Sequence, residues 1–182
     1  MPLEITRRLE FDAGHRILGH ESKCKHLHGH RYVAEITVSA PSLDELGRVV
    51  DFSILKSVVG RWVDECLDHN MILHPNDPLA LLIEQTNDVE SEQPLTGGKP
   101  PFIMPSGKYA NPTAENLSHV ILAVAAYLLT KHTREHGLAA LSVTRVRLYE
   151  TPNCWADAVW TYEGFPFTVS ALAHPNGKKD PQ

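Results

Sequence analysis

Two runs of alternating apolar and polar residues, one on each side of a histidine cluster, limit most strongly how this chain can fold. Apolar side chains recur at every second position over much of residues 3–13, and residues 32–40 repeat the pattern. A period of two is typical of β-strands that are buried on one face. We therefore predict two antiparallel strands joined by a wide loop, at the end of which lies the stretch KCKHLHGHRY, residues 23–32.

Two helices are predicted in the middle of the chain. After Asp51, which can cap a helix, apolar residues recur at spacings of three and four up to Leu67. A second helix is predicted to begin near Asn111 or Thr113 and to end near Gly137. Each helix therefore has an apolar side that can pack against a sheet.

A second β-hairpin is predicted near the end of the sequence. Residues 141–150 and 154–163 are rich in strand-forming residues, and the turn-forming residues Thr151, Pro152 and Asn153 separate them. The order of elements is then ββααββ, which predicts an α+β protein.

The length of 182 residues favours one domain, which we assign to residues 1–175. Residues 84–112 contain five prolines and three glycines and have no hydrophobic period, which predicts a long loop insertion. Such a loop can be a mobile surface insertion, a lid or a subunit contact. Residues 176–182 are expected to be a disordered tail.

Charge and cysteine content restrict the partners and the compartment. A net charge of -5 gives no reason to expect binding to nucleic acid or to an anionic membrane, and no apolar run approaches a membrane span or a signal peptide. The three cysteines are widely separated and odd in number, so we expect free thiols rather than disulfides. These features predict a cytoplasmic protein.

The histidine cluster has the spacing of a metal site. His28 and His30 lie two residues apart, so on a strand their side chains leave the same face. His15, near the end of the neighbouring predicted strand, can supply a third nitrogen. Three histidines with one open position are typical of catalytic zinc. The alternative is an exposed polar pair, because eleven histidines make such a spacing common by chance.

Cys24 lies four residues before His28 and has three possible roles. Beside a divalent cation its thiol would be drawn towards thiolate, the form that acts as a base or a nucleophile. It could also be a fourth zinc ligand, which would close the site, or a small buried apolar side chain. Spacing alone does not separate these roles.

Three acidic and basic side chains further along the chain are candidates for chemistry. Asp68 and His69 end the first predicted helix, where they are either a solvated polar terminus or an irregular turn in which Asp68 orients the His69 ring towards Cys24. Glu150 ends a predicted strand. It is either solvated or able to accept two parallel N–H bonds from a flat, guanidine-like edge.

Six short motifs in this order resemble the 6-pyruvoyltetrahydropterin synthase and 6-carboxytetrahydropterin synthase family. They are FDAGH at 11–15, CKHLHGH at 24–30, VDF at 50–52, LDHN at 67–70, NPTAEN at 111–116 and YET at 149–151. The resemblance covers nearly the whole chain, except for an insertion at about 84–110 that is longer than the family usually carries.

The resemblance implies a tunnelling fold, in which each subunit adds a four-stranded antiparallel sheet and two helices to a ring. It also implies a homo-hexamer of two trimers, with active sites between subunits. The implied roles are zinc ligands (His15, His28, His30), catalytic groups (Cys24, Asp68, His69) and pterin contacts (Glu150, Thr113, Glu115).

The implied substrate is 7,8-dihydroneopterin triphosphate, and the implied cofactor is zinc without a redox cofactor. Family enzymes that make the carboxy product usually have three residues between the cysteine and the HGH motif, as in this chain, whereas those that make the pyruvoyl product usually have five. The expected product is therefore 6-carboxy-5,6,7,8-tetrahydropterin, in queuosine biosynthesis. The alternatives are pyruvoyl formation, zinc-dependent hydrolysis and a zinc-binding module without turnover.

Overall fold

A long antiparallel hairpin forms the centre of the sheet. The computed structural model describes residues 3–88, 96–160 and 164–174. Strands β1 (Glu4–His15) and β2 (His28–Ser39) pair along their whole length, with His15 opposite His28. Both predicted strands are confirmed, and each extends further than predicted into the histidine cluster. The loop between them is therefore limited to residues 16–27.

Within residues 3–88, 96–160 and 164–174 the sheet has six strands, so the prediction of a four-stranded sheet in simple ββααββ order was wrong. The other four strands are β3 (Asn70–Leu73), β4 (Phe102–Ile103), β5 (Ser142–Thr151) and β6 (Cys154–Val159). Their order across the sheet is β4-β3-β1-β2-β5-β6. The four longer strands are antiparallel as expected, whereas β3 and β4 run parallel to β1. The added strands are too short to give a hydrophobic period.

Both predicted helices are present. Helix α1 covers residues 52–67 and includes two π-helical stretches, and the Asp51 carboxylate caps it by accepting a hydrogen bond of 2.8 Å from the Ser53 N–H. The long helix α3 (Ala114–Glu135) is capped by Thr113 rather than by Asn111. It ends before Gly137, whose φ of 62° suits a residue without a side chain.

The segment predicted as a patternless loop, residues 84–112, contains regular structure. Helix α2 (Pro78–Asp88) occupies its beginning, β4 its middle, and a single 3₁₀ turn (Gly107–Tyr109) its end. Residues 89–95 lie outside the described residues, as does the predicted tail, 176–182. A two-residue strand and one turn are too short for sequence periodicity to reveal.

Helices α1 and α3 pack on one face of the sheet and enclose the main core. The C-terminal segment joins this layer through the short helix α4 (Val169–Leu172), since the Trp62 indole N–H donates a hydrogen bond of 2.9 Å to the Leu172 carbonyl. The opposite face of the hairpin carries ion pairs such as Arg31 with Glu10. No helix among the described residues has the length and apolar character needed to cross a membrane.

Candidate active site

Three histidines converge where the central hairpin meets the loop of residues 16–27. His15 is the last residue of β1, His28 is the first residue of β2, and His30 follows two positions later on the same face. One nitrogen from each ring lies within 4.8 Å of the others, and the Nε2 atoms of His15 and His28 are 3.2 Å apart. The predicted grouping of these three residues is confirmed.

Backbone carbonyls fix the orientation of two of the rings. The Nδ1 atom of His15 lies 2.8 Å from the Pro112 carbonyl, and Nδ1 of His28 lies 2.7 Å from the His26 carbonyl. A carbonyl can only accept, so each Nδ1 must carry the proton and each Nε2 keeps a lone pair. Both rings therefore present the nitrogen that a metal ion needs.

Burial lowers the pKa of two of the three histidines, His15 and His30. Desolvation, opposed by the hydrogen bond to Pro112 and assisted by the charges of His28 and His30, lowers the pKa of His15 to about 4. Desolvation is also the main reason that the pKa of His30 is lowered, although the charge of Glu150 opposes it. Neutral imidazole is the form that binds metal, so the lowered pKa of His15 and of His30 favours the binding form of these two rings.

The donor set fits zinc. Tetrahedral zinc with Zn–N bonds of about 2.0–2.1 Å holds pairs of ligand nitrogens roughly 3.3 Å apart, close to the observed 3.2 Å. In the described part of the chain, Nε2 of His30 is buried without a hydrogen-bond partner, a costly arrangement that coordination would relieve. Three protein ligands leave the fourth position for a substrate or water.

Glu150 lies beside the histidines. Its Oε1 atom is 3.6 Å from Nε2 of His15 and 3.9 Å from Nε2 of His30, and 27% of its side chain is exposed. The sequence left Glu150 either solvated or able to accept two N–H bonds, and the family resemblance implied a pterin contact. Its carboxylate can therefore act on a molecule bound at the histidines.

Cys24 lies on a 3₁₀ turn (Lys23–Lys25) and is half-buried. The Ile17 N–H donates a hydrogen bond of 2.8 Å to the Cys24 carbonyl, and the Asn111 side chain bonds both backbone groups of Leu18, which fixes the loop. Cys24 does not belong to the three-histidine group. Its intermediate exposure also argues against a role as an apolar core residue.

Tyr32, two positions beyond His30, packs under the site with no exposed surface. Its ring centroid is 5.6 Å from that of His30. Burial, then the negative charges of Glu150 and Cys24, raise the pKa of Tyr32, so its hydroxyl stays protonated. Tyr32 could not be recognised from the sequence as part of the site, because it fits the ordinary alternation of apolar residues on β2.

Asp68 and His69 form the predicted pair. Oδ2 of Asp68 lies 2.8 Å from Nδ1 of His69, and Oδ1 accepts a hydrogen bond of 2.8 Å from the Asp12 N–H. The turn is irregular as required, because His69 has a φ of 51°. Although burial would raise the pKa of Asp68, bonds from Asp12 and His69 and the charges of His69 and Lys99 lower it. The Asp68 side chain is therefore held as a carboxylate.

The structure does not bring His69 to Cys24 within one chain. The His69 ring is 79% exposed, and its side-chain hydrogen bond within the described residues is to Asp68. It borders a surface groove of about 720 Å³ together with Arg31, Met71 and Thr96. The relay to Cys24 suggested by the sequence is therefore not formed by a hydrogen bond within the described residues of this chain.

The two residues of the NPTAEN motif predicted to contact a pterin have local roles in α3. Thr113 Oγ1 accepts a hydrogen bond of 3.2 Å from the Asn116 N–H, and Glu115 is exposed in the first turn. The motif also supplies the Pro112 carbonyl that orients His15. Elsewhere in the loop after β1, Arg16 forms a bidentate ion pair with the buried Asp77.

A family model described as 6-pyruvoyl tetrahydropterin synthase matches residues 4–159. The 6-carboxy-5,6,7,8-tetrahydropterin synthase of Rickettsia bellii is 43% identical over 156 residues, covering 85% of this chain and 99% of the relative. The Aquifex aeolicus protein of the same name is 34% identical over 173 residues, covering 86% of this chain and 98% of the relative.

Solved structures have the same fold at low sequence identity. An uncharacterized Wolinella succinogenes protein gives a TM-score of 0.64 at 22% identity and covers 87% of this chain and 98% of its own. The Caenorhabditis elegans 6-pyruvoyl tetrahydropterin synthase gives 0.55 at 17% identity, covering 87% of this chain and 96% of its own.

Proposed function

This chain belongs to the 6-pyruvoyl tetrahydropterin synthase family, and we propose that it converts 7,8-dihydroneopterin triphosphate to 6-carboxy-5,6,7,8-tetrahydropterin, acetaldehyde and triphosphate. The observation that carries the proposal is the convergence of three histidine rings, with the Glu150 carboxylate beside them and Cys24 on the loop that joins their two strands. Relatives with up to 43% identity over 85% of the chain bear the corresponding name. The enzyme is a lyase.

The three histidines would hold zinc, which when bound would act as a Lewis acid and lower the pKa of the substrate's side-chain hydroxyls. The Cys24 thiolate removes a proton from the adjacent carbon while the ring is reprotonated. Triphosphate leaves the side chain, and a retro-aldol step that consumes one water, whose oxygen enters the new carboxylate, breaks the side-chain carbon–carbon bond and releases acetaldehyde. The ring is reduced at the expense of its own side chain, so no redox cofactor is required.

Asp68 and His69 exchange the proton with Cys24. The Nδ1–H of His69 donates to the Asp68 carboxylate, so Nε2 keeps the lone pair that accepts a proton. Because His69 is exposed and makes no hydrogen bond to Cys24 within the described residues, we assign this exchange to a neighbouring subunit.

The proposed enzyme is a homo-hexamer of two trimers, with active sites shared between neighbouring subunits. It acts on a small pterin in the cytoplasm and requires neither nucleic acid nor membrane.

The second candidate is 6-pyruvoyltetrahydropterin formation, in which triphosphate is eliminated and the carbon–carbon bond remains intact. The family model and the Caenorhabditis elegans structure carry that name. Three residues separate Cys24 from His28, which favours the carboxy product and hence queuosine biosynthesis. A small displacement of a catalytic base relative to a bound side chain changes the proton that it reaches.

A hydrolase or a zinc-binding module without turnover would have no need of Cys24 or of the Asp68–His69 pair. Incubating the zinc-loaded protein with 7,8-dihydroneopterin triphosphate and identifying the products by mass spectrometry tests the proposal. Formation of the tetrahydropterin product supports it. Unchanged substrate would favour the binding module, and simple loss of phosphate would favour the hydrolase.

Replacing Glu150 by alanine is expected to weaken substrate capture. In the proposed role, its carboxylate accepts two N–H bonds from the guanidine-like edge of the bound pterin, and leaving that buried edge without its charged acceptor costs roughly 2 to 4 kcal/mol. That cost corresponds to a rise in KM of about 30- to 800-fold. Steady-state kinetics over a wide range of substrate concentrations measure it.

Glu150→Gln is the matched variant, because it keeps the shape and one acceptor but loses the charge. Zinc content must be measured in both variants, since Oε1 lies 3.6 Å from Nε2 of His15. Unchanged KM and kcat in Glu150→Ala with full zinc content would remove Glu150 from the substrate site.

A further inference from the structure

A lysine from another part of the chain holds the turn that carries Asp68 and His69. The Nζ atom of Lys99 lies 2.6 Å from the Asp68 carbonyl and 3.3 Å from the Asp64 carbonyl. Both carbonyls lie at the C-terminal end of α1, where helical carbonyls lack partners and the helix dipole favours a positive charge. The ammonium of Lys99 therefore closes the end of the helix.

The turn beyond this helix end needs such support. His69 has a φ of 51°, a left-handed conformation that a residue with a side chain adopts only when its surroundings enforce it. Its N–H donates a hydrogen bond of 2.7 Å to the Asp12 carbonyl of β1. The Asp12 N–H meanwhile binds the Asp68 carboxylate at 2.8 Å. Strand β1 thus holds one side of the turn.

Residues 96–104, which we call the bracing segment, hold the other side. Besides Lys99, this segment supplies the Pro100 carbonyl, which accepts a hydrogen bond of 3.0 Å from the Asn70 side chain. The same amide also donates to the Cys66 carbonyl at 2.8 Å. The segment then enters β4, which pairs with β3. It lies within the stretch that the sequence analysis treated as a loop.

We propose that Lys99 is a positioning residue for the Asp68–His69 pair. The inference rests on the proposed function of that pair in proton exchange. By binding the Asp68 carbonyl, Lys99 fixes the backbone from which the carboxylate reaches both the Asp12 N–H and Nδ1 of His69. Its charge also favours the ionised carboxylate, the form that accepts the Nδ1–H and leaves Nε2 ready for a proton.

The test compares Lys99→Met with Lys99→Arg in the zinc-loaded full-length protein. Loss of the ammonium is expected to lower kcat roughly 10- to 100-fold, the usual effect of removing a group that orients a functional side chain. KM should stay within about twofold and zinc content should not change, because Lys99 touches neither the substrate nor the histidines in the proposed mechanism. Lys99→Arg should recover most of kcat, since guanidinium also donates to carbonyls.

Lys108→Met is the matched control, because Lys108 lies over the Tyr109 ring, 5.1 Å from its centroid, and has no part in the turn. Its kcat should equal that of the wild type. Thermal unfolding separates a loss of turnover from a loss of folded protein. If Lys99→Met does not fold, comparison of Lys99→Gln with Lys99→Arg takes its place, because glutamine keeps a donor without the charge.

Two further variants, His69→Ala and the double variant His69→Ala with Lys99→Met, separate the role of the Asp68–His69 pair from the role of Lys99. If His69→Ala retains full turnover, the proposed role of the pair fails. If His69→Ala loses turnover but Lys99→Met does not, only the Lys99 inference is overturned. Because Lys99 acts through His69, Lys99→Met should have no further effect in the His69→Ala background. An undiminished effect there would also overturn the inference.

Discussion

Replacing Cys24 by alanine is expected to lower kcat about 10²- to 10⁴-fold, the usual contribution of a positioned proton-transfer group. The side chain lies on the turn between β1 and β2, outside the three-histidine group, so its removal should leave zinc content unchanged. It is only half-buried, so the thermal unfolding midpoint should also change little. Turnover, zinc analysis and thermal unfolding on the same preparation measure all three quantities.

The chain contains a matched control for this substitution. Cys154, at the start of β6, is an exposed free thiol with no assigned role. Cys154→Ala should therefore keep wild-type kcat. A near-normal rate for Cys24→Ala would refute the role of Cys24 as the base. An equal loss in both variants would indicate a general effect of thiol removal.

Alanine at His28 or at His30 is expected to abolish zinc binding and, with it, turnover. The wild-type protein should contain about one zinc per chain, as expected for a three-histidine catalytic site. Each substitution leaves only two of the three converging nitrogens. Metal analysis after exhaustive dialysis measures the stoichiometry independently of activity.

His26→Ala is the corresponding control, since its exposed ring is not in the group while its backbone carbonyl still orients His28. This variant should retain zinc. Full zinc occupancy in His28→Ala and His30→Ala would exclude these residues as ligands. Loss of zinc in all three variants would instead point to a disturbed loop.

The arrangement of the histidines could be predicted because it follows from strand periodicity. A period of two places His28 and His30 on one face, and pairing of the flanking strands brings His15 to the same end. The cap at Asp51 and the helix end before Gly137 were predictable for a similar reason, since each depends on the local sequence. The roles assigned to these residues through the family resemblance remain proposals.

The contacts that support the site could not be predicted in the same way. The Pro112 carbonyl that orients His15 is a backbone group, which every residue has, so no sequence signal marks it. Lys99 lies 31 positions from the Asp68 carbonyl that it binds. The irregular φ of His69 was anticipated only as a condition for its pairing with Asp68. Such contacts depend on tertiary packing between distant segments.

Trapping the volatile product formed from 7,8-dihydroneopterin triphosphate distinguishes the two candidate reactions. The zinc-loaded wild-type protein should release one acetaldehyde for each substrate consumed, together with 6-carboxy-5,6,7,8-tetrahydropterin, whereas Cys24→Ala should release almost none. Consumption of substrate without acetaldehyde, with 6-pyruvoyltetrahydropterin accumulating instead, would contradict the proposed reaction.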